Sequence, residues 1–144
     1  MNVHLRAGAR KKKCALAYVR KRDQAALVST MIDAIHDLLE GNGTADQAST
    51  AIGEAFVNGG SGVWEGAGSW LRKTCAEYPG LRQLWAVLAR HESAVVRFRI
   101  ACFLNDMPHE EFAFISSLLL NDKSKKVAAM ARTRAEEVAL RVTP

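Results

Sequence analysis

An all-α fold of stacked antiparallel helical hairpins, about seven helices in all, is what this sequence predicts, and three observations predict it. Alanine, leucine and arginine dominate, with only three prolines, two tyrosines and short β-branched runs, a composition that favours helix. Apolar residues recur at three- and four-residue spacing from Asp23 almost to the end. The second half repeats itself at an offset of 31 residues, a period suited to helix pairs. At 144 residues, 49% hydrophobic and 24% charged, the chain can bury a core without staples. Residues 1–22 read as a basic leader or helical extension, and 23–144 as a single all-helical domain.

The first helix spans Asp23 to Glu40, where Leu27, Met31, Ile35 and Leu38 share a face with Val28, Ile32 and Leu39 beside them. Gly41-Asn42-Gly43 ends it, and Thr44 is placed to cap a second helix over Ala45–Val57, anchored by Ile52, Phe56 and Val57. Asn58-Gly59-Gly60-Ser61-Gly62 is the clearest break. Beyond it Trp64, Ala67, Gly68, Leu71, Cys75 and Tyr78 line a helix that ends at Pro79-Gly80. Leu81, Leu84, Trp85 and Leu88 form the stripe of a short helix closing near Arg90. Ser93 is placed to cap the next, whose Val96, Ile100, Phe103 and Leu104 share a face. Pro108 suits the first turn of a helix carrying Phe112, Ile115 and Leu119, and Ser124 caps the last, which runs to about Arg141.

Residues 88–97 align with 119–128: Ser93 falls on Ser124 and Val96 on Val127. Each unit is a helix, a polar turn with a serine, then a second helix that opens with an aliphatic residue. Glu92-Ser93 followed by Val96-Arg97, and Asp122 and Ser124 followed by Val127, resemble the HEAT-repeat family over about residues 80–141, although Ala128 stands in the arginine position of the second unit. The resemblance implies a curved helical stack that binds through a broad surface, and it brings no catalytic residues. Two helices fit such layering because they are apolar on two sides. Val95, Phe98 and Cys102 lie away from the main stripe of one, and Phe114 and Leu118 away from that of the other, so both are expected between neighbours.

The charge is divided. Residues 1–22 hold eight bases and no acid, residues 23–80 carry a formal −6, and residues 81–144 carry +3. A uniformly basic nucleic-acid binder does not look like this. Three widely spaced cysteines, Cys14, Cys75 and Cys102, give neither a disulfide framework nor a metal pair and fit a reducing compartment. No apolar stretch is long enough to span a bilayer, no secretory signal is read, and the expected location is cytoplasmic.

The sequence carries no pattern that points to a catalytic residue, cofactor or metal. His91-Glu92 and His109-Glu110-Glu111 read as solvated turn and cap residues, without ligand spacing. Cys102 with His91 as its base reads better as an inert buried thiol. The Gly59–Gly62 loop before a helix lacks the strand and Lys-Ser/Thr of a phosphate loop, and Glu65 would repel an anion. Trp64 fits a core stripe, whereas Trp70 points elsewhere and is a candidate anchor.

The expected function is therefore a non-catalytic protein-binding module, a monomer or weak dimer, similar in size and style to immunity proteins that block a cognate toxin or effector domain. The residues singled out for a protein partner are Asp33, Asp37, Glu40, Asp46 and Glu54, which would speed association with a basic surface, together with Trp70, Arg97 and Arg99. The alternative is nucleic-acid binding through Arg10, Lys11, Lys12, Lys13, Arg20, Lys21 and Arg22, with Lys125 and Lys126.

Overall fold

The computed structural model describes Leu16 and residues 22–142. Among the described residues the fold is all-helical, with seven α-helices and no strand: α1 (Arg22–Glu40), α2 (Ala45–Asn58), α3 (Val63–Cys75), α4 (Gln83–Ala89), α5 (Ala94–Cys102), α6 (His109–Leu120) and α7 (Lys125–Val142). Short 3-10 turns stand at Pro79–Leu81 and Leu104–Asp106. The backbone forms two compact units, divided between Leu81 and Arg82.

In the first unit, α1 packs on α2 and α2 on α3. Val28, Met31, Ile32, Ile35, Leu38 and Leu39 of α1 are all buried, so the periodic stripe is the core face. The helix stops at Gly41, whose φ of +80° is a left-handed conformation that a side chain would disfavour. The Asn42 and Gly43 N–H groups then donate to the Asp37 carbonyl at 2.8 and 3.0 Å, satisfying an end that α1 leaves open. Thr44 caps α2 reciprocally with Gln47: the Gln47 N–H donates to Thr44 Oγ1 at 3.1 Å, and the Thr44 N–H to Gln47 Oε1 at 3.0 Å.

Ile52 and Phe56 are fully buried, each contributing about 1.5–3 kcal/mol relative to exposure. The α2–α3 linker is pinned to α1 by Gln24, whose Oε1 accepts the Gly60 N–H at 2.6 Å and whose Nε2 donates to the Asn58 carbonyl at 3.4 Å. A Cβ at Gly59 would collide with the Val63 side chain and the Ala55 carbonyl, which explains a glycine there. On α3, Ala67, Gly68, Leu71 and Cys75 are buried, and the Thr74 hydroxyl is satisfied by the Trp70 carbonyl at 2.7 Å.

The second unit is two hairpins, α4–α5 and α6–α7, with α4 against α6 and α5 against α7. Val96 and Val127, related by the 31-residue offset, are both buried, as are Ile100, Leu104, Ile115 and Leu119. Trp85 is fully buried, with the Phe103 ring 5.9 Å away. The Leu104–Asp106 turn is tied to α7 by Asn105 Nδ2 donating to Glu137 at 2.9 Å and Arg141 donating to the Asn105 carbonyl at 3.1 Å. Arg134 pairs with Glu137 at 3.0 Å. The side chain is half-buried, with its head against an acid.

Two local expectations are corrected. Ser93 stands at the N-cap of α5, but its side chain makes no capping bond; His91 Nδ1 accepts the Ser93 N–H at 3.0 Å instead. The second apolar sides of α5 and α6 are not sandwiched. Val95, Phe114 and Leu118 are exposed, and Phe98 and Cys102 are half-buried. An apolar side of a helix reports capacity to pack, and only the presence of a neighbour decides whether the capacity is used.

Candidate protein-binding surfaces

The first unit presents acids. Asp33, Asp37 and Glu40 follow one another at four- and three-residue spacing on α1, so they form one ridge, and all three are exposed. Asp46 in the first turn of α2 and Glu54 further along it are exposed too. These five carboxylates belong to a segment, residues 23–81, with eight acids and only Arg72 and Lys73 as bases. The burial of the apolar stripe forces this arrangement, since the positions between stripe residues must face water. The resulting field is long-ranged at low salt and screened over about 10 Å at about 0.1 M.

Trp70, on the α3 side away from Leu71, is half-buried, with Lys73 Nζ 5.5 Å from its ring centroid. Trp64 is half-buried and meets the buried Phe56 ring edge-on, with centroids 5.9 Å apart. At the start of α3 the Glu65 carboxylate accepts the Gly62 N–H at 2.6 Å, so an acid of the chain takes the place that an anion would need.

Arg97 is placed inward. Its Nε and Nη2 donate to the two oxygens of Asp122 at 2.8 and 3.2 Å, and its Nη1 donates to the carbonyls of His91 and Glu92 at 2.9 Å each. Both side chains of the pair are only 8% exposed. The guanidinium thus joins the polar turns of the two hairpins, and its place is in the framework of the second unit, away from the surface that the sequence suggests for it. Burial by itself would raise the Asp122 carboxyl. Hydrogen bonds from Arg97 and the Ser124 N–H, with the nearby Arg97 and Lys123 charges, hold it below the usual carboxylate range. The repeat is visible in the same bonds: Asp122 Oδ1 accepts the Ser124 N–H at 2.8 Å, as His91 Nδ1, 31 residues earlier, accepts the Ser93 N–H. Arg99 is half-buried on α5.

A surface that sequence reasoning missed lies along α4 and α6. Gln83, Val87 and Arg90 form one exposed row, and Glu110, Phe114 and Leu118 another. Val87 is 62%, Phe114 47% and Leu118 36% exposed. The rows are joined at two points. At the helix starts Arg82 Nε and Nη2 donate to Glu111 at 2.6 and 2.7 Å, with Glu110 reached at 3.4 Å. Further along, the Arg90 guanidinium sits 4.9 Å from the Phe114 ring centroid. The Arg82 hydrogen bonds hold Glu111 below its ordinary range, against a smaller opposing effect of burial. The signal for this strip was the second apolar side of α6, together with the 31-residue offset that makes Val87 and Leu118 equivalent positions.

Lys125 and Lys126 are exposed at the start of α7. Arg10, Lys11, Lys12, Lys13, Arg20 and Lys21 lie outside the described residues, as does Cys14, and Arg22 opens α1. His91 and Cys102 stand at opposite ends of α5, separated by roughly 12 Å or more of helix, too far for proton transfer between them. Among the described residues no three of His, Cys, Asp and Glu gather as a metal-binding group, and no helix is long and apolar enough to cross a membrane. The sequence matches no protein-family profile, no curated protein and no solved structure.

Proposed function

We propose that the chain is a non-catalytic protein-binding module of the immunity or antitoxin type, which covers and neutralises a cognate protein toxin through the acidic face of α1 and α2. The observation that carries this reading is the exposure of all five carboxylates, Asp33, Asp37, Glu40, Asp46 and Glu54, on a segment with a formal charge of −6. A field of this sign attracts a basic protein and raises the encounter rate well above the uncharged value. Short-range contacts then set the lifetime of the complex, and the half-buried Trp70, with the apolar and hydrogen-bonding parts of its ring, is suited to an anchor.

The test has two steps. Affinity capture from cells of the source organism identifies the partner, and the purified pair is then studied by stopped-flow association. A one-to-one complex is expected, with an association rate that falls as salt rises. The triple variant D33K/D37K/E40K should slow association about tenfold or more and change dissociation far less. Recovery of nuclease-sensitive nucleic acid in place of a protein would overturn the reading and favour the basic leader with Lys125 and Lys126. A protein complex whose association is indifferent to salt and to these reversals would remove the acidic face of α1 and α2 from the interface.

A further inference from the structure

We propose that the exposed strip along α4 and α6 is a self-complementary docking surface, on which a second copy of this chain binds with its own strip antiparallel in a weak two-fold dimer. It does not rest on the toxin-binding reading, which uses the first unit.

Three features of the strip select this occupant. The first is its apolar middle, where exposed Val87 on α4 and exposed Phe114 and Leu118 on α6 belong to two helices that pack together, large apolar groups that water solvates poorly. The second is a surplus of negative charge at one end, where two carboxylates share one guanidinium. Arg82 is already satisfied by both oxygens of Glu111, so Glu110 is a surplus acid on a single base, and its side chain is 85% exposed. The third is a positive charge further along. Arg90 is exposed, lies against the Phe114 ring, and has no acid within ion-pair distance among the described residues.

Acid, apolar centre and base thus follow one another along one face. A surface that carries opposite charges on either side of an apolar centre fits itself when turned by a half rotation. In a two-fold pair every contact is made twice, so Arg90 of each copy meets Glu110 of the other while the two Phe114 rings close the middle. A parallel arrangement would set like against like, and a partner uniformly acidic or uniformly basic would satisfy one end only. The two rows hold six residues, against the roughly 20–30 per side of a stable interface, so the dimer dissociates readily.

The test is the mass of the full-length chain in solution, by analytical ultracentrifugation from about 10 µM to about 1 mM at low salt. The wild-type chain should pass from monomer towards dimer over this range. R90E sets one carboxylate against another at both ends of the pair, and E110R sets two guanidinium groups together twice. Each variant alone should therefore dimerise at least about tenfold more weakly. Mixed in equal amounts, the two variants make a heterodimer in which attraction is restored, and dimer should reappear. Recovery on mixing also shows that both chains are folded. A wild-type chain monomeric throughout, a dimer that R90E leaves intact, or variants that stay monomeric when mixed would each overturn the proposal.

Discussion

The two units solve the same packing problem with opposite uses of charge. In the first, α1 to α3 bury an apolar stripe, satisfy their ends with short-range polar bonds from Thr44, Gln47, Gln24 and Glu65, and turn their other acids to water. In the second, charge is drawn into the framework: Arg97 with Asp122 and Arg82 with Glu111 join segments that α4 to α7 bring together, and Arg134 pairs with Glu137 along α7. Large apolar groups stay outside in return, since Val87, Val95, Phe114 and Leu118 all belong to this unit. Short helices explain the difference. α4 has 7 residues and α5 has 9, which leaves each with little apolar area to bury, so directional ion pairs in the turns carry more of the register.

The comparison is broken most directly at Asp122. Its replacement by alanine strands a buried guanidinium with two carbonyls and no counter-charge, which should cost about 3–5 kcal/mol in urea unfolding. Asp37→Ala on the exposed ridge should stay within about 0.5 kcal/mol, because the α1 terminus uses its backbone carbonyl. Equal costs at the two positions would dissolve the contrast between the units.

Acid separates the units next. The Asp122 and Glu111 carboxyls are held below their ordinary range in the folded chain, so at mild acidity the unfolded chain binds more protons than the folded one. Their stabilisation is fully present above the usual carboxylate range. It is lost as pH falls through that range towards the lowered folded values. Urea midpoints measured from about pH 7 to about pH 3 should therefore decline below about pH 5, and Asp122→Asn should flatten the decline. The same slope in the wild type and in this variant would mean that other groups carry the acid sensitivity.

Much of the fold was legible because helix ends are local events. Gly41, Thr44, the Asn58–Gly62 run, Pro108 and Ser124 all mark termini within a few residues of where the helices stop or start. The stripes were legible too: Met31, Ile35, Ile52, Ile100, Ile115 and Val127 are buried where their spacing set them. What escaped was whatever depends on a residue far along the chain. Arg97 reads as a surface arginine until Asp122, 25 residues later, arrives beside it. Phe114 reads as a packed residue until the fold leaves it 47% exposed among the described residues. The acidic ridge lay between these cases, since a position opposite a buried stripe must be exposed, and the five carboxylates follow from the stripe alone.

Capping bonds give smaller effects that sharpen the same contrast. Thr44→Ala removes the Oγ1 that accepts the Gln47 N–H and should cost about 1 kcal/mol by urea unfolding. Ser124→Ala should cost less, since its Oγ is 3.5 Å from the Val127 N–H, near the limit of a useful bond.

The smallest change is expected at Ser93, which occupies the N-cap of α5 and looks in sequence like the equivalent of Ser124. Its hydroxyl makes no cap bond, and the N–H of the residue is satisfied by His91 Nδ1. Ser93→Ala should therefore stay within about 0.5 kcal/mol of the wild type, whereas His91→Ala, which leaves that N–H unpaired in a half-buried turn, should cost about 1 kcal/mol or more. His91→Asp is the informative third variant. Aspartate is what the second hairpin uses at the equivalent position, where Asp122 receives both the Ser124 N–H and Arg97. Recovery of stability by His91→Asp relative to His91→Ala, read from urea midpoints at neutral pH, would establish that the two turns are built on one plan with interchangeable acceptors. An aspartate no better than alanine would mean that the turn needs the imidazole for its shape, and that the 31-residue correspondence ends at the backbone.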